Sequence, residues 1–94
     1  MTQLTPDDIK GFLLEYYSPM ITANGLDVKA IGDDFDLLEA GIIDSLGVLE
    51  MISAVEKHFV IAVDFERMDP GELTRLGAFG AFVAQNAERK EPRP

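Results

Sequence analysis

Asp44-Ser45-Leu46 is the part of this 94-residue chain whose residue types and spacing suit covalent chemistry. An aspartate precedes a serine, and an amphipathic pattern begins directly after them. Either Asp44 or Ser45 can cap a helix that starts there. A serine in the first turn of a helix projects from the body of a small fold. It faces unpaired backbone N–H groups and the positive end of the helix dipole, which stabilise an anion such as a phosphate ester on the hydroxyl. Ordinary capping uses the same residue types, so the dipeptide alone does not decide between the two uses.

Two other chemistries can be weighed from residue types. Hydrolysis with Ser45 as nucleophile requires a base, and His58 is the single histidine. It lies thirteen residues further along the same expected helix, roughly 20 Å away at 1.5 Å per residue, beyond hydrogen-bond reach. No Gly-x-Ser-x-Gly turn is present, and His58 reads as a basic residue near a helix C-terminus. A metal site would draw on Asp33, Asp34, Asp36 and Glu39, but Leu37, Leu38 and the missing central glycine break the calcium-loop pattern. A solvated acidic loop accounts for these residues, and no catalytic or metal site is expected.

The elements that position Ser45 follow from periodicity and punctuation. Thr5 caps a first helix, Pro6 suits its first position, and Asp7 and Asp8 complement its dipole. Ile9, Phe12, Leu13 and Tyr16 follow at helical spacing, and Ser18-Pro19 ends or weakens the run. A long connection over about 18–43 is punctuated by Asn24-Gly25, Gly32 and Gly41. Within it, Asp36 to Ala40 forms a turn that sets Leu37 and Leu38 against the core. The second helix runs from about Ser45 to Phe59, with Val48, Met51, Ile52, Val55 and Phe59 as its buried stripe. Leu46 and Leu49 widen the apolar arc beyond what one buried face needs. Val60 to Phe65 is extended and leads to a short helical turn, because no partner strand is evident. The last helix starts near Thr74, with Leu76, Phe79, Phe82 and Val83 on one face. Gly77 and Gly80 weaken it by roughly 1 kcal/mol each relative to alanine, and permit close helix approach. The expected fold is all-α: a four-helix bundle of three main helices and one short one, with a long loop between helices 1 and 2. Residues 1–87 make one domain, and 88–94 a flexible tail.

Charge narrows the partners. The net charge is −9. Between Asp33 and Glu72 eleven acids stand against Lys57 and Arg67, so the whole imbalance lies in the middle of the chain. Nucleic acid is a poor partner for such a surface, and a basic protein surface is a better one. No segment reaches the ~20 apolar residues of a membrane span. The N-terminus lacks a signal-peptide pattern, and cysteine is absent. A monomeric cytoplasmic protein without a membrane partner is the expectation.

Gly41-Ile42-Ile43-Asp44-Ser45-Leu46 resembles the phosphopantetheine attachment motif of acyl, aminoacyl and peptidyl carrier proteins, whose core is Asp-Ser-Leu at the start of the second helix after a long loop. Leu49-Glu50-Met51-Ile52 and Val55-Glu56 resemble that family's pattern along the helix. Ile61, Val63, Met68, Pro70, Leu73 and Leu76 resemble its passage into the final helix. The resemblance covers nearly all of Leu4 to Ala87. It implies that Ser45 Oγ accepts 4'-phosphopantetheine from coenzyme A through a separate phosphopantetheinyl transferase, giving a phosphoprotein. The thiol of the arm then carries an acyl or aminoacyl group as a thioester, loaded by an adenylating ligase or an acyltransferase. Asp44 lies beside the modified serine. Leu46, Leu49 and Ser53 fall at the apolar contact positions of the recognition helix, and Glu50 and Glu56 at its acidic ones. Lys57, His58 and Ser53 depart from the fatty-acid type. The two residues between Gly41 and Asp44 resemble carriers loaded by adenylating ligases, D-alanyl carriers among them. The alternative is a small acidic helical module that binds another protein without the prosthetic group.

Overall fold

The computed structural model describes residues 4–89. Four α-helices build the fold: α1 (Pro6–Tyr16), α2 (Ser18–Ala23), α3 (Ser45–Phe59) and α4 (Leu76–Asn86). It is an all-α bundle with one very short two-stranded ladder.

Local chemistry sets the start of α1. Thr5 Oγ1 accepts from the Asp8 N–H at 3.2 Å, and Asp8 Oδ2 accepts from the Thr5 N–H at 3.0 Å. Two otherwise unpaired donors are thereby satisfied reciprocally. Ser18-Pro19 does end α1, but it also starts α2, with proline in the first turn where its missing N–H costs nothing. Ile21 of α2 is completely buried, so the short helix is held by tertiary packing more than by its own length. The rest of the connection contains a 3-10 turn at Val28–Ala30, capped by Asp27.

Further along, Asp36 Oδ1 accepts from the N–H groups of Leu38 and Glu39 and shapes a single turn. The same oxygen accepts from the Thr74 hydroxyl at 2.7 Å. An antiparallel bridge pairs Asp36 with Arg75, so this loop is clasped to the start of α4. Leu37 is buried, as expected, whereas Leu38 points to solvent.

The core joins Ile9 and Leu13 of α1, Leu37 and Ile42 of the connection, Met51 and Val55 of α3, and Leu76, Phe79 and Val83 of α4. The α1–α4 contact is close because Gly80 has no side chain. A Cβ there would lie 3.0 Å from the Pro6 carbonyl oxygen. Phe65, in a 3-10 turn at Phe65–Arg67, stacks on Phe79 at 5.5 Å.

The segment after α3 departs from the expectation of an unpaired extended stretch. Ile61–Ala62 (β1) pairs antiparallel with Glu88–Arg89 (β2), in the register Ile61 to Arg89 and Ala62 to Glu88. Glu88 and Arg89 had been assigned to the tail. The remainder of the tail, 90–94, lies outside the described residues.

Candidate functional site

The loop before α3 holds Ser45 in place. Gly41 adopts φ +78°, where a side chain would be strained, and turns the chain. The N–H groups of Ile42 and Ile43 then both donate to the Leu37 carbonyl, at 2.9 and 3.2 Å. The side chains of these two isoleucines are buried. With both anchored, Asp44 emerges at the surface with extended backbone and caps α3. Its Oδ1 accepts from the Gly47 N–H at 2.7 Å. Asp44, not Ser45, is the cap.

The role of Gly47 follows from its place in the first turn of α3. A Cβ at this position would meet Ile43 Cβ at 3.0 Å and Asp44 Oδ1 at 3.3 Å. Glycine therefore lets the cap and the isoleucine anchor coexist. The detectable signal was a glycine at the position whose N–H the cap receives.

Ser45 is the first helical residue and is exposed. Among the described residues its hydroxyl enters no side-chain hydrogen bond. The Gly47 N–H is taken by Asp44, and the Val48 N–H by the Asp44 carbonyl. The N–H groups of Ser45 and Leu46 remain at the open end of the helix. A hydroxyl placed there meets solvent on one side and donors with a positive dipole end on the other.

The remaining expected site residues divide in two. Leu46 is 77% and Leu49 67% exposed, and Glu50 and Ser53 are exposed on the same outward surface of α3. Glu56 is not with them. Its Oε2 accepts from the Val63 N–H at 3.0 Å in a partly buried setting, tying α3 to the segment after β1. Glu50 lies near the aromatic end of α1, with the Tyr16 hydroxyl 3.5 Å from Glu50 Oε1. Neighbouring Tyr17 has its phenol pushed up to about 12 by burial, then by Tyr16 and Glu50. His58 sits at the far end of α3 from Ser45, stacked on Phe12, so the structure gives Ser45 no histidine base.

A family model described as a phosphopantetheine attachment site matches residues 20–83. The chain belongs to this phosphopantetheine-attachment family. Residues 20–83 span the loop, Ser45, α3 and most of α4. The D-alanyl carrier protein of Bacillus licheniformis is 40% identical over 43 residues, which cover 46% of this chain and 55% of that protein. The chain thus spans about half the length of the curated relative it matches. No solved structure matches the chain.

Membership gives the chain a phosphopantetheine attachment site, with 4'-phosphopantetheine as the covalent group. The open end of α3 fits that group: it offers an exposed hydroxyl, two free N–H donors and a dipole that favours an anion. No described helix is long and apolar enough to cross a membrane.

Proposed function

We propose that Ser45 Oγ is the attachment point, and that the protein presents an acyl or aminoacyl group on the attached arm to partner enzymes. The observation that carries this reading is the exposed Ser45 hydroxyl at the open N-terminus of α3, with Asp44 already committed to Gly47. The matched segment contains one other serine, Ser53. It sits mid-helix, where backbone N–H groups are spent on the helix itself, and has no comparable setting for an anion.

Ser45 Oγ attacks the pyrophosphate of coenzyme A, adenosine 3',5'-bisphosphate leaves, and the hydroxyl proton passes to a base of the transferase, since Asp44 is committed to Gly47 and His58 stands at the far end of α3. The attached group contributes a terminal thiol, on which cargo is held as a thioester. Asp44 fixes the helix end. Leu46, Leu49, Glu50 and Ser53 form the surface that docks the phosphopantetheinyl transferase and an adenylating ligase or acyltransferase. Glu56 contributes indirectly, by holding α3 to the segment after β1. The D-alanyl carrier relative supports an amino acid as cargo. A monomer in the cytoplasm is part of the reading, supported by the net charge of −9, which opposes self-association.

Intact mass tests the proposal. Incubation with coenzyme A, Mg²⁺ and a broad-specificity phosphopantetheinyl transferase is expected to add one phosphopantetheine to the protein and none to Ser45→Ala. Addition to Ser45→Ala would move the site elsewhere. No addition to the wild type by several transferases would favour a protein-binding module without the group.

A further inference from the structure

An aromatic trough lies between α1 and α3, and its rings are absent from the surface assigned to the loading of Ser45. Phe12, Tyr16 and His58 form its floor. The Phe12 and His58 rings stack at 4.2 Å with 23° between their planes, and the Phe12 and Tyr16 centroids are 5.5 Å apart. Two open depressions of about 470 and 590 Å³ share these three residues as lining, so both open onto the same rings. Asp7 and Glu15 of α1 edge it, together with Glu50 of α3. Asp8 also lines it but is committed to the cap of α1. Lys57 and His58 are the basic residues of the lining, against Asp7, Asp8, Glu15 and Glu50. Tyr16 is 43% exposed although it follows Phe12 by one helical turn. Aromatic surface is therefore left in water beside free carboxylates.

We infer that this trough is a second docking surface, and that it takes an arginine-bearing segment of a partner protein. A guanidinium stacks flat on aromatic rings while its N–H fork pairs with carboxylates, and a lysine ammonium lacks that geometry. Phosphate-bearing occupants are repelled by the rim. A second copy brings the same acidic trough and a further charge of −9. Glu50 and Ser53 belong both to the trough and to the outward surface of α3, so a partner seated on α3 reaches α1 without a gap. His58 lies about 20 Å along α3 from Ser45, so an occupant of the His58 end of the trough leaves the serine accessible.

The inference extends the carrier reading without depending on it, because it concerns the unmodified chain. Its test is a titration of the ¹⁵N-labelled full chain with a short amphipathic helical peptide bearing arginines on one face, and with twins in which lysine or glutamate replaces every arginine. The arginine peptide is expected to shift the resonances of Phe12, Tyr16 and His58 and to bind several-fold tighter than the lysine twin. The glutamate twin is expected not to bind. Glu15→Lys and Glu15→Gln should each weaken the arginine peptide, the former by about fivefold, with unchanged circular dichroism melts. Tyr16→Ser should weaken it while leaving the lysine twin unaffected. Three results would overturn the inference: equal binding of arginine and lysine peptides; shifts confined to residues 45–49; or a dimer in sedimentation that Glu15→Lys dissolves. None of these outcomes bears on whether Ser45 can be modified, which the mass experiment reads separately.

Discussion

Two apolar surfaces of α3 have nearly the same chemistry and opposite surroundings. Met51 and Val55 are completely buried in the core, while Leu46 and Leu49, on the other side of the same helix, are 77% and 67% exposed. Burying a leucine is worth roughly 1.5–3 kcal/mol, so the free chain forgoes that stabilisation twice over. A leucine kept in water beside a modifiable hydroxyl is useful only when another molecule covers it. In the proposed reading, stability rests on the buried side of α3, and partner contact on the Ser45 side. Substitutions on the first should change melting without changing docking, and those on the second the reverse.

The largest effect is expected at Gly80. Its absent side chain lets α4 approach the Pro6 carbonyl, 3.0 Å from where a Cβ would be. Gly80→Val adds two further carbons to that contact. Overpacking of this kind costs about 1–3 kcal/mol, which outweighs any gain in helix propensity from losing a glycine. A thermal melt should fall by about 8 °C or more, at 4–8 °C per kcal/mol for a domain of this size. Ser45 should still be modified at a temperature where the variant is folded. An unchanged melt would mean that α1 and α4 are not packed as described.

Asp36 comes next. Burial pushes its pKa up, but the Thr74 hydroxyl, the N–H groups of Glu39 and Leu38, and Arg75 outweigh burial and leave the carboxyl below its ordinary 3.8. A carboxylate with a lower pKa in the folded state adds stability that is fully present above the unfolded value. That stability is lost as pH falls through the folded one. The acid side, from about pH 4 downward, is therefore where Asp36 matters. Asp36→Ala should cost about 1 kcal/mol near neutral pH, the usual worth of a side-chain cap. Between pH 5 and pH 2.5 the wild-type melting temperature should fall more steeply than that of the variant. Parallel slopes would remove Asp36 as the clasp that holds the loop before Ser45 to α4.

What the sequence revealed, and what it hid, follows the range of the interactions. The Asp44-Ser45 arrangement was legible because a cap depends on neighbours within three residues, and the buried stripe of α3 because helical spacing reports it directly. The second role of Ser18-Pro19 was not legible, since proline ends one helix and begins another with equal ease and only the burial of Ile21 decides. The partners of Ile61 and Ala62 lie 28 and 26 residues away, at Arg89 and Glu88, two polar residues that carry no strand signal. Leu38 was misplaced because Asp36 folds its turn with its own side chain and rotates that leucine outward. Glu56 was expected among the acidic contacts because the resemblance places it there. Its bond to the Val63 N–H exists only once the chain has turned back after Phe59.

That turn is made at Val60, where the third expected effect lies. Val60 adopts φ 55° and ψ 55°, a left-handed conformation that glycine takes freely and a β-branched residue resists. The strain is on the order of 1–2 kcal/mol. Replacing the half-exposed valine with glycine relieves it, although extra freedom in the unfolded chain offsets about 0.4–1 kcal/mol. Val60→Gly should raise the melting temperature by a few degrees and leave modification of Ser45 unchanged. Such a result would assign Val60 to neither the packed nor the docking surface. A lower melt would show that its apolar contacts belong with the core.

The smallest stability effect should come from the most exposed leucines, and it is also the sharpest test of the division. Leu46→Ala and Leu49→Ala each remove carbons that touch mostly water, so each melt should stay within about 0.5 kcal/mol of wild type, as surface substitutions do. Their effect should appear in encounters with the transferase. Truncating an apolar anchor at the centre of an interface typically costs more than 1 kcal/mol, or about fivefold or more in kcat/KM for coenzyme A-dependent modification. Glu50→Lys should lower that rate too by reversing one charge, with a loss that shrinks as salt is added. The leucine losses should persist at high salt, because apolar contact is not screened. If instead the leucine variants melt early and are modified at the wild-type rate, the two surfaces of α3 are one, and the exposed leucines serve the fold.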